Sequence, residues 1–265
     1  MVAPTLLALD FDGVLCEGLL EYFETSWKAY CQVNEPAETT PPPDLAEQFY
    51  PLRPVIETGW EMPMLLHALL KGIAAEDYLQ NRRQIVPTLL TEAGLTSGQV
   101  MTAVDGIRDR WIQADLNGWL ELHRTYPGTL DWLQNLLASD LHTVIISTKE
   151  GRFIHAFLQK QGVEMPREQI LGKEVQQPKT ETLRQLLAQY PGSSAEPTRL
   201  WFVEDRYKTL QKVEAEADLN DVSLFLVDWG YNTAAEREEA RRDSRVNLLS
   251  LSTIVQEFSA WVEPT

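Results

Sequence analysis

Acidic and hydroxyl side chains follow directly after four short apolar runs of this chain. They are Asp10 and Asp12 after residues 6–9, Ser147 and Thr148 after 144–146, Glu204 and Asp205 after 200–203, and Asp228 after 224–227. Short apolar runs that stop at polar residues are typical of buried strands. In an open parallel sheet, ligands bind outside the carboxyl ends of the strands. If the four strands are neighbours, we expect these side chains to meet at one edge of the sheet.

Carboxylates that meet at one edge repel one another unless a cation lies between them. Mg²⁺ is a hard ion that binds oxygen ligands, and in proteins it takes one or two carboxylates together with a substrate phosphate. The four histidines do not favour zinc, because they are scattered along the chain as His67, His123, His142 and His155. The acidic residues therefore predict a magnesium site.

The same edge offers groups that bind an anion. We expect the hydroxyl of Ser147, the backbone N–H groups of Ser147 and Thr148 ahead of a helix, and a lysine to form this part of the site. The candidate lysines are Lys149, Lys173 and Lys179, of which Lys149 and Lys173 are expected to be solvated at the surface. A metal, an anion site and a free carboxylate together indicate phosphoryl transfer through an aspartyl-phosphate.

The elements that position these residues fall into three regions. After the first apolar run, residues 17–124 carry apolar side chains at three- and four-residue spacing, which predicts helices, with an extended loop at the Pro-rich segment 36–44. From residue 126 onwards, apolar runs alternate with helical stretches, which is typical of βαβ units. We predict an α/β protein with a Rossmann-like, three-layer α/β/α parallel-sheet core and an inserted helical region.

Composition limits the classes of partner. The 265 residues include 23 Lys and Arg against 39 Asp and Glu, a formal net charge of −16, so nucleic acid and anionic membrane are not expected as partners. Cys16 and Cys31 are the only cysteines, and they make no disulfide framework. Residues 1–27 lack the basic start of a signal peptide, and no apolar stretch reaches membrane-spanning length. We expect a cytoplasmic protein, whose oligomeric state the composition leaves open.

Four segments in this order resemble the motifs of the haloacid dehalogenase superfamily of hydrolases. The segments are Asp10-Phe11-Asp12-Gly13-Val14, Val144-Ile145-Ile146-Ser147-Thr148-Lys149, the later Lys179, and Phe202-Val203-Glu204-Asp205. Tyr126-Pro127-Gly128 and Trp229-Gly230-Tyr231-Asn232 are similar to the phosphoglycolate-phosphatase-like branch. The resemblance implies a core domain of residues 1–16 plus 124–265 and a helical cap domain of residues 17–123.

The resemblance also implies a role for each motif residue. Asp10 would attack the phosphorus, and Asp12 would protonate the leaving oxygen and later activate water. Ser147 and Lys179, with Thr148 beside them, would bind the phosphate oxygens. Asp10, the backbone carbonyl of Asp12, and Asp205 would bind Mg²⁺, with Glu204 as a further ligand or an outer partner of the ion. The implied activity is hydrolysis of a small phosphomonoester metabolite.

Two departures from the family pattern leave alternatives open. Thr209 stands where many relatives have a second acid, and the order Pro178-Lys179 reverses the usual Lys-Pro, so Lys173 stays an alternative to Lys179. The pair Glu204-Asp205 is also found in mutase-like relatives, so a phosphosugar mutase is one alternative function. A catalytically idle binding or regulatory protein is another. Dehalogenation is excluded, because those relatives lack an acid at the position of Asp12.

Overall fold

The computed structural model describes residues 3–193 and 197–262. The chain divides into two compact units, which we name the core unit (Met1–Glu17 with Thr125–Thr265) and the inserted unit (Gly18–Arg124). The family resemblance implies boundaries at 16/17 and 123/124, one residue earlier in each case. Among the described residues, no helix is long and apolar enough to cross a lipid bilayer.

The described residues form eight strands and twelve α-helices. The strands are β1 (Leu6–Leu9), β2 (Cys16–Glu17), β3 (Arg124–Thr125), β4 (His142–Ile146), β5 (Ile170–Leu171), β6 (Leu200–Glu204), β7 (Ser223–Val227) and β8 (Val246–Leu249). The helices are α1 (Leu19–Asn34), α2 (Leu45–Phe49), α3 (Glu61–Leu70), α4 (Ala75–Glu92), α5 (Ser97–Ala114), α6 (Leu116–Glu121), α7 (Thr129–Leu137), α8 (Gly151–Lys160), α9 (Lys179–Gln189), α10 (Tyr207–Glu214), α11 (Ala234–Arg242) and α12 (Leu251–Ile254).

Six of these strands form one parallel sheet in the core unit. Their spatial order is β5-β4-β1-β6-β7-β8. The chain thus proceeds outwards from β1 on one side and then from β6 on the other, which makes the gap between β1 and β6 the topological switch point. Leu9 pairs with Ile145 on one side and with Val203 on the other, so β1, β4 and β6 end at nearly the same level. This register brings their polar ends together.

Helices cover both faces of the sheet. Side chains alternate between the faces of a strand, and on one face Ala8, Phe202 and Leu224 pack in a buried cluster with residues of α9, α10 and α11. On the other face Trp201 lies 4.7 Å from Phe225, measured between ring centroids. Trp261 packs against that pair from the C-terminal segment, and its ring centroid lies 5.8 Å from that of Trp132 in α7. The core is therefore the predicted three-layer α/β/α arrangement.

The inserted unit is helical and has its own interior. Glu21 of α1 is fully buried, and its carboxylate accepts two hydrogen bonds from Arg108 of α5, at 2.7 and 3.0 Å. Thr25 and Trp119 donate to the same carboxylate. The predicted Pro-rich loop lies between α1 and α2 and forms neither helix nor strand. A buried ion pair with this many partners holds α1 and α5 together.

Most predicted elements of the core unit are present, but β8 was missed. The apolar runs of β1, β4, β6 and β7 and the helices α7, α8 and α9 lie where the pattern predicts them, within about two residues. β8 is an edge strand, and its two middle residues, Asn247 and Leu248, are half-buried. An edge strand needs no continuous apolar run, so its four residues carry little of the signal that marked the central strands.

The packing on the sheet predicts a large cost for truncating a central side chain. Leu224 of β7 is fully buried, so Leu224→Ala should lower the free energy of unfolding by about 2–5 kcal/mol. The control is Val255→Ala, because Val255 is 44% exposed and its truncation should change stability by no more than about 0.5 kcal/mol. Urea unfolding followed by tryptophan fluorescence checks both values. Equal effects of the two substitutions would contradict this account of the core.

Candidate active site

Three carboxylates lie together at the switch point of the sheet. Asp10 follows β1, Glu204 ends β6, and Asp205 comes next. Their exposed fractions are 6%, 1% and 1%, and one oxygen of each lies within 4.8 Å of the others. Asp228 follows β7 at the same edge of the sheet but is not one of these three. We name Asp10, Glu204 and Asp205 the acidic cluster.

Burial makes the acidic cluster electrostatically unfavourable by itself. Burial raises the pKa of Asp10 to about 7, and the carboxylate of Glu204 adds to this shift. Burial and the charge of Asp10 also raise the pKa of Asp205 to about 7. The pKa of Glu204 is raised by burial too, although Lys179 opposes the change. Charging all three groups near neutral pH therefore requires additional positive charge.

Lys179 supplies part of that positive charge. It is the first residue of α9, and its Nζ lies 3.0 Å from Oδ2 of Asp10 and 2.7 Å from Oε2 of Glu204. Burial disfavours the ammonium ion, but the attraction of Asp10 and Glu204 is stronger in sum and raises the pKa of Lys179. The side chain of Lys173, the alternative to Lys179 in the sequence, is exposed.

Lys149 lies in the site and not at the surface, where we expected it. Its Nζ is 3.1 Å from Oδ1 of Asp12, and the two side chains are 12% and 18% exposed. The backbone N–H of Lys149 donates to Oγ of Ser147, and its carbonyl accepts from the N–H of Lys173. The expectation was wrong because the loop after β4 is held on both sides, which turns Lys149 towards Asp12.

Ser147 is in the site, but its backbone N–H is not available to an anion. Ser147 is buried directly after β4, and its N–H donates to the carbonyl of Leu171 at 2.9 Å. That bond continues the pairing of β4 with β5, so the predicted anion-binding role of this N–H is wrong. Thr148 is exposed, and α8 begins three residues later, at Gly151. In this loop, the side-chain hydroxyl of Ser147 is therefore the group that we expect to bind an anion.

Two glycines enclose the carboxylate of Asp205. Gly13 has a φ of +85°, and a Cβ atom there would overlap the carboxylate of Asp205. A Cβ atom on Gly230 would overlap Cβ of Asp205 and the carbonyl oxygen of Gly13. The backbone N–H of Tyr231 donates to Oδ2 of Asp205 at 2.7 Å. The segment at Gly230 is thus part of the site. Its Trp-Gly-Tyr-Asn sequence indicated this only through the family resemblance.

The donor set fits a divalent cation. The acidic cluster presents only oxygen ligands, and its carboxylates are too buried for water to screen their repulsion. Within the cluster, both oxygens of Glu204 already accept hydrogen bonds, one from Lys179 and one from the backbone N–H of Arg206. No described residue donates to Oδ1 of Asp205. Both oxygens of Asp10 also have partners, the backbone N–H of Phe11 at 2.7 Å and Nζ of Lys179 at 3.0 Å. Among the described residues of the cluster, Asp205 is therefore the one that keeps an oxygen for a cation.

Comparisons with known proteins found similarity in structure but none in sequence. No protein-family profile matches the chain, and no curated protein matches it in sequence. The structure is similar to that of a predicted phosphoglycolate phosphatase from Haemophilus somnus, with 16% identity, 88% of each chain covered and a TM-score of 0.53. A haloacid dehalogenase-like family hydrolase from Streptococcus pneumoniae matches with 12% identity, 95% of each chain covered and a TM-score of 0.54.

A third similar structure is named as a kinase and not as a hydrolase. It is Protein Tyrosine Kinase A from Mycobacterium tuberculosis, with 18% identity, 88% of each chain covered and a TM-score of 0.51. At such identities the similarity shows a shared fold, and the chemistry must be argued from the site. The protein has the fold of the haloacid dehalogenase-like hydrolases.

Proposed function

We propose that this protein is a Mg²⁺-dependent phosphatase that hydrolyses a small phosphomonoester through an aspartyl-phosphate on Asp10. One observation carries the proposal: the carboxylate of Asp10 contacts Lys179 while lying within 4.8 Å of Asp205. A nucleophile beside both a cation site and a fixed ammonium group is what phosphoryl transfer requires. The names of the structurally similar phosphatases support the same reaction class.

The proposed cation site takes residues from two segments of the chain, residues 10–12 and residue 205. Asp10 and Asp205 would hold Mg²⁺ through their side chains, and Asp12 through its backbone carbonyl. When bound, the ion would neutralise charge on the phosphate oxygens and on the acidic cluster. We assign Glu204 to holding Lys179, whose ammonium group donates to its Oε2, while the backbone N–H of Arg206 donates to its Oε1.

The remaining residues act on the phosphate ester directly. An oxygen of Asp10 forms a bond to phosphorus while the bond to the leaving oxygen breaks, and Asp12 gives that oxygen a proton. Asp12 then takes a proton from a water that attacks the phosphorus, which releases phosphate and restores Asp10. The Ser147 hydroxyl and the Lys179 ammonium group donate to the non-bridging oxygens, where negative charge develops.

The substrate is a small phosphorylated metabolite in this proposal. The acidic cluster, Ser147, Lys149 and Lys179, on which the proposed reaction depends, all belong to the core unit.

Removing the nucleophile tests the reaction. Asp10→Asn should lower kcat for p-nitrophenyl phosphate with Mg²⁺ by at least about 10⁴-fold, because an amide cannot form the phosphoryl intermediate. The matched control is Asp228→Asn, at the same edge of the sheet but outside the acidic cluster, and it should keep kcat within about threefold. Phosphate release measures both. Rapid quenching with mass spectrometry should find phosphate on the wild-type peptide that contains Asp10. Absence of turnover across a broad phosphate panel would overturn the proposal.

Two lysines test the phosphate contact. Lys179→Met should lower kcat by about 10²–10³-fold, because a charge that stabilises the transition state is lost. Lys173→Met should leave kcat within about twofold, since that side chain is exposed. Steady-state kinetics on one ester checks both variants, with circular dichroism as a control for folding. A larger loss for Lys173→Met would reverse the assignment.

The raised pKa values predict how Mg²⁺ stabilises the protein at different pH. Asp10 and Asp205 have pKa values of about 7 in the folded chain, against 3.8 for an ordinary aspartate. The folded state therefore binds more protons than the unfolded state between these values, so the metal-free protein loses stability as pH rises through about 7. Mg²⁺ competes with these protons. Its increase of Tm should be larger at about pH 8 than at about pH 5.5.

Thermal unfolding with and without Mg²⁺ measures this effect. Asp205→Asn should remove most of the increase in Tm at the higher pH, because one ligand of the ion is lost. Asp228→Asn, the same substitution outside the acidic cluster, should keep it. An increase that is independent of pH in the wild-type protein would contradict a cation site made of these carboxylates.

A further inference from the structure

A buried asparagine lies behind the acidic cluster. Asn232 stands in the loop between β7 and α11 and is only 3% exposed. Its Nδ2 donates to two backbone carbonyls, that of Asp205 at 2.8 Å and that of Val227 at 2.7 Å. Asp205 directly follows β6, and Val227 is the last residue of β7. One side-chain amide thus joins the carboxyl ends of two neighbouring strands.

The orientation of this amide is determined by its surroundings. Nη1 of Arg237 in α11 donates to Oδ1 of Asn232 at 2.9 Å and to its backbone carbonyl at 3.1 Å. The two N–H groups of the amide therefore point at carbonyls, and its oxygen points at a guanidinium group. Exchanging nitrogen and oxygen would place oxygen against oxygen and nitrogen against nitrogen. Asn232 is a fixed part of the loop.

The hydrogen bonds of this loop converge on Asp205. Tyr231 donates its backbone N–H to Oδ2 of Asp205, and the next residue, Asn232, donates to the carbonyl of Asp205. Side chain and backbone of the same acid are thus held by consecutive residues. The oxygen Oδ1 receives no hydrogen bond from the described residues. The loop fixes one carboxylate oxygen and leaves the other to a cation.

We propose that Asn232 is a positioning residue for the cation site, which it serves by fixing the backbone of Asp205 between β6 and β7. The inference deepens the proposed function and depends on the cation that it includes. Both N–H groups of its amide are used by backbone carbonyls, so Asn232 acts through the backbone of Asp205 and not on the substrate. Groups that orient a metal ligand in this way typically change metal affinity by about 10–100-fold when they are removed.

Calorimetric titration of the purified protein with MgCl₂ tests the inference. Asn232→Ala should raise the Kd for Mg²⁺ by about 10–100-fold, because Asp205 is no longer held in place. The matched control is Asn247→Ala, which removes another side-chain amide, the one that donates from β8 to the carbonyl of Leu224 at 3.3 Å. That site is outside the acidic cluster, so the Kd should stay within about twofold.

A second readout needs no metal. The amide hydrogen of Tyr231, which is bonded to Oδ2 of Asp205, should exchange with solvent faster in Asn232→Ala than in the wild type and in Asn247→Ala. If Asn232→Ala does not fold, Arg237→Met replaces it, since that variant keeps the asparagine but removes the donor to its oxygen. Arg237→Met should raise the Kd several-fold.

The outcomes separate this inference from the proposed function. A wild-type affinity in a folded Asn232→Ala, or an equal loss in Asn247→Ala, would overturn the role of Asn232 even if the protein hydrolyses phosphate esters. A protein that binds Mg²⁺, loses affinity in Asn232→Ala and hydrolyses no ester would support the role of Asn232 and overturn the phosphatase. Weakened binding with faster exchange of the Tyr231 amide supports the inference.

Discussion

The burial of three carboxylates around one lysine is the constraint on which the site of this protein depends. Asp10, Glu204 and Asp205 are nearly inaccessible, and the ammonium group of Lys179 contacts two of them. Buried like charges raise one another's pKa and destabilise the fold unless positive charge compensates them. A single lysine compensates one of three potential charges. A further cation would therefore stabilise the ionised form of the acidic cluster. In the proposed chemistry, that cation is magnesium, bound beside the nucleophile.

The geometry that keeps these groups together comes from backbone as much as from side chains. A parallel sheet places the carboxyl ends of β1 and β6 side by side at the switch point, because Leu9 and Val203 are in register. Any side chain at position 13 or 230 would overlap Asp205, so both positions require glycine. Within this frame each carboxylate has a different set of partners. Glu204 is occupied by donors, whereas Asp205 keeps one oxygen without a hydrogen bond from the described residues.

Prediction from the sequence succeeded for features that local patterns encode and failed where distant contacts decide. The central strands were found because buried parallel strands read as apolar runs, whereas β8 at the edge of the sheet gave no such run. Lys149 was expected at the surface, since nothing next to it in the sequence shows that its loop turns towards Asp12. The backbone N–H of Ser147 was expected to bind an anion because it precedes a helix in the sequence. The local sequence does not show that it pairs with Leu171 of the two-residue strand β5.

The amino-acid sequence by itself determined the fold class, the order of the acidic and hydroxyl residues along the chain and the ends of the strands that carry them. These follow from hydrophobic periodicity and from turn residues, which act over a few neighbouring positions. The tertiary structure decided which lysine meets Asp10, how Glu204 is used and why Asn232 lies behind Asp205. Each of these contacts joins residues more than twenty positions apart. Their energies depend on burial and on distance in space, and neither quantity is written in the spacing of residues along the chain.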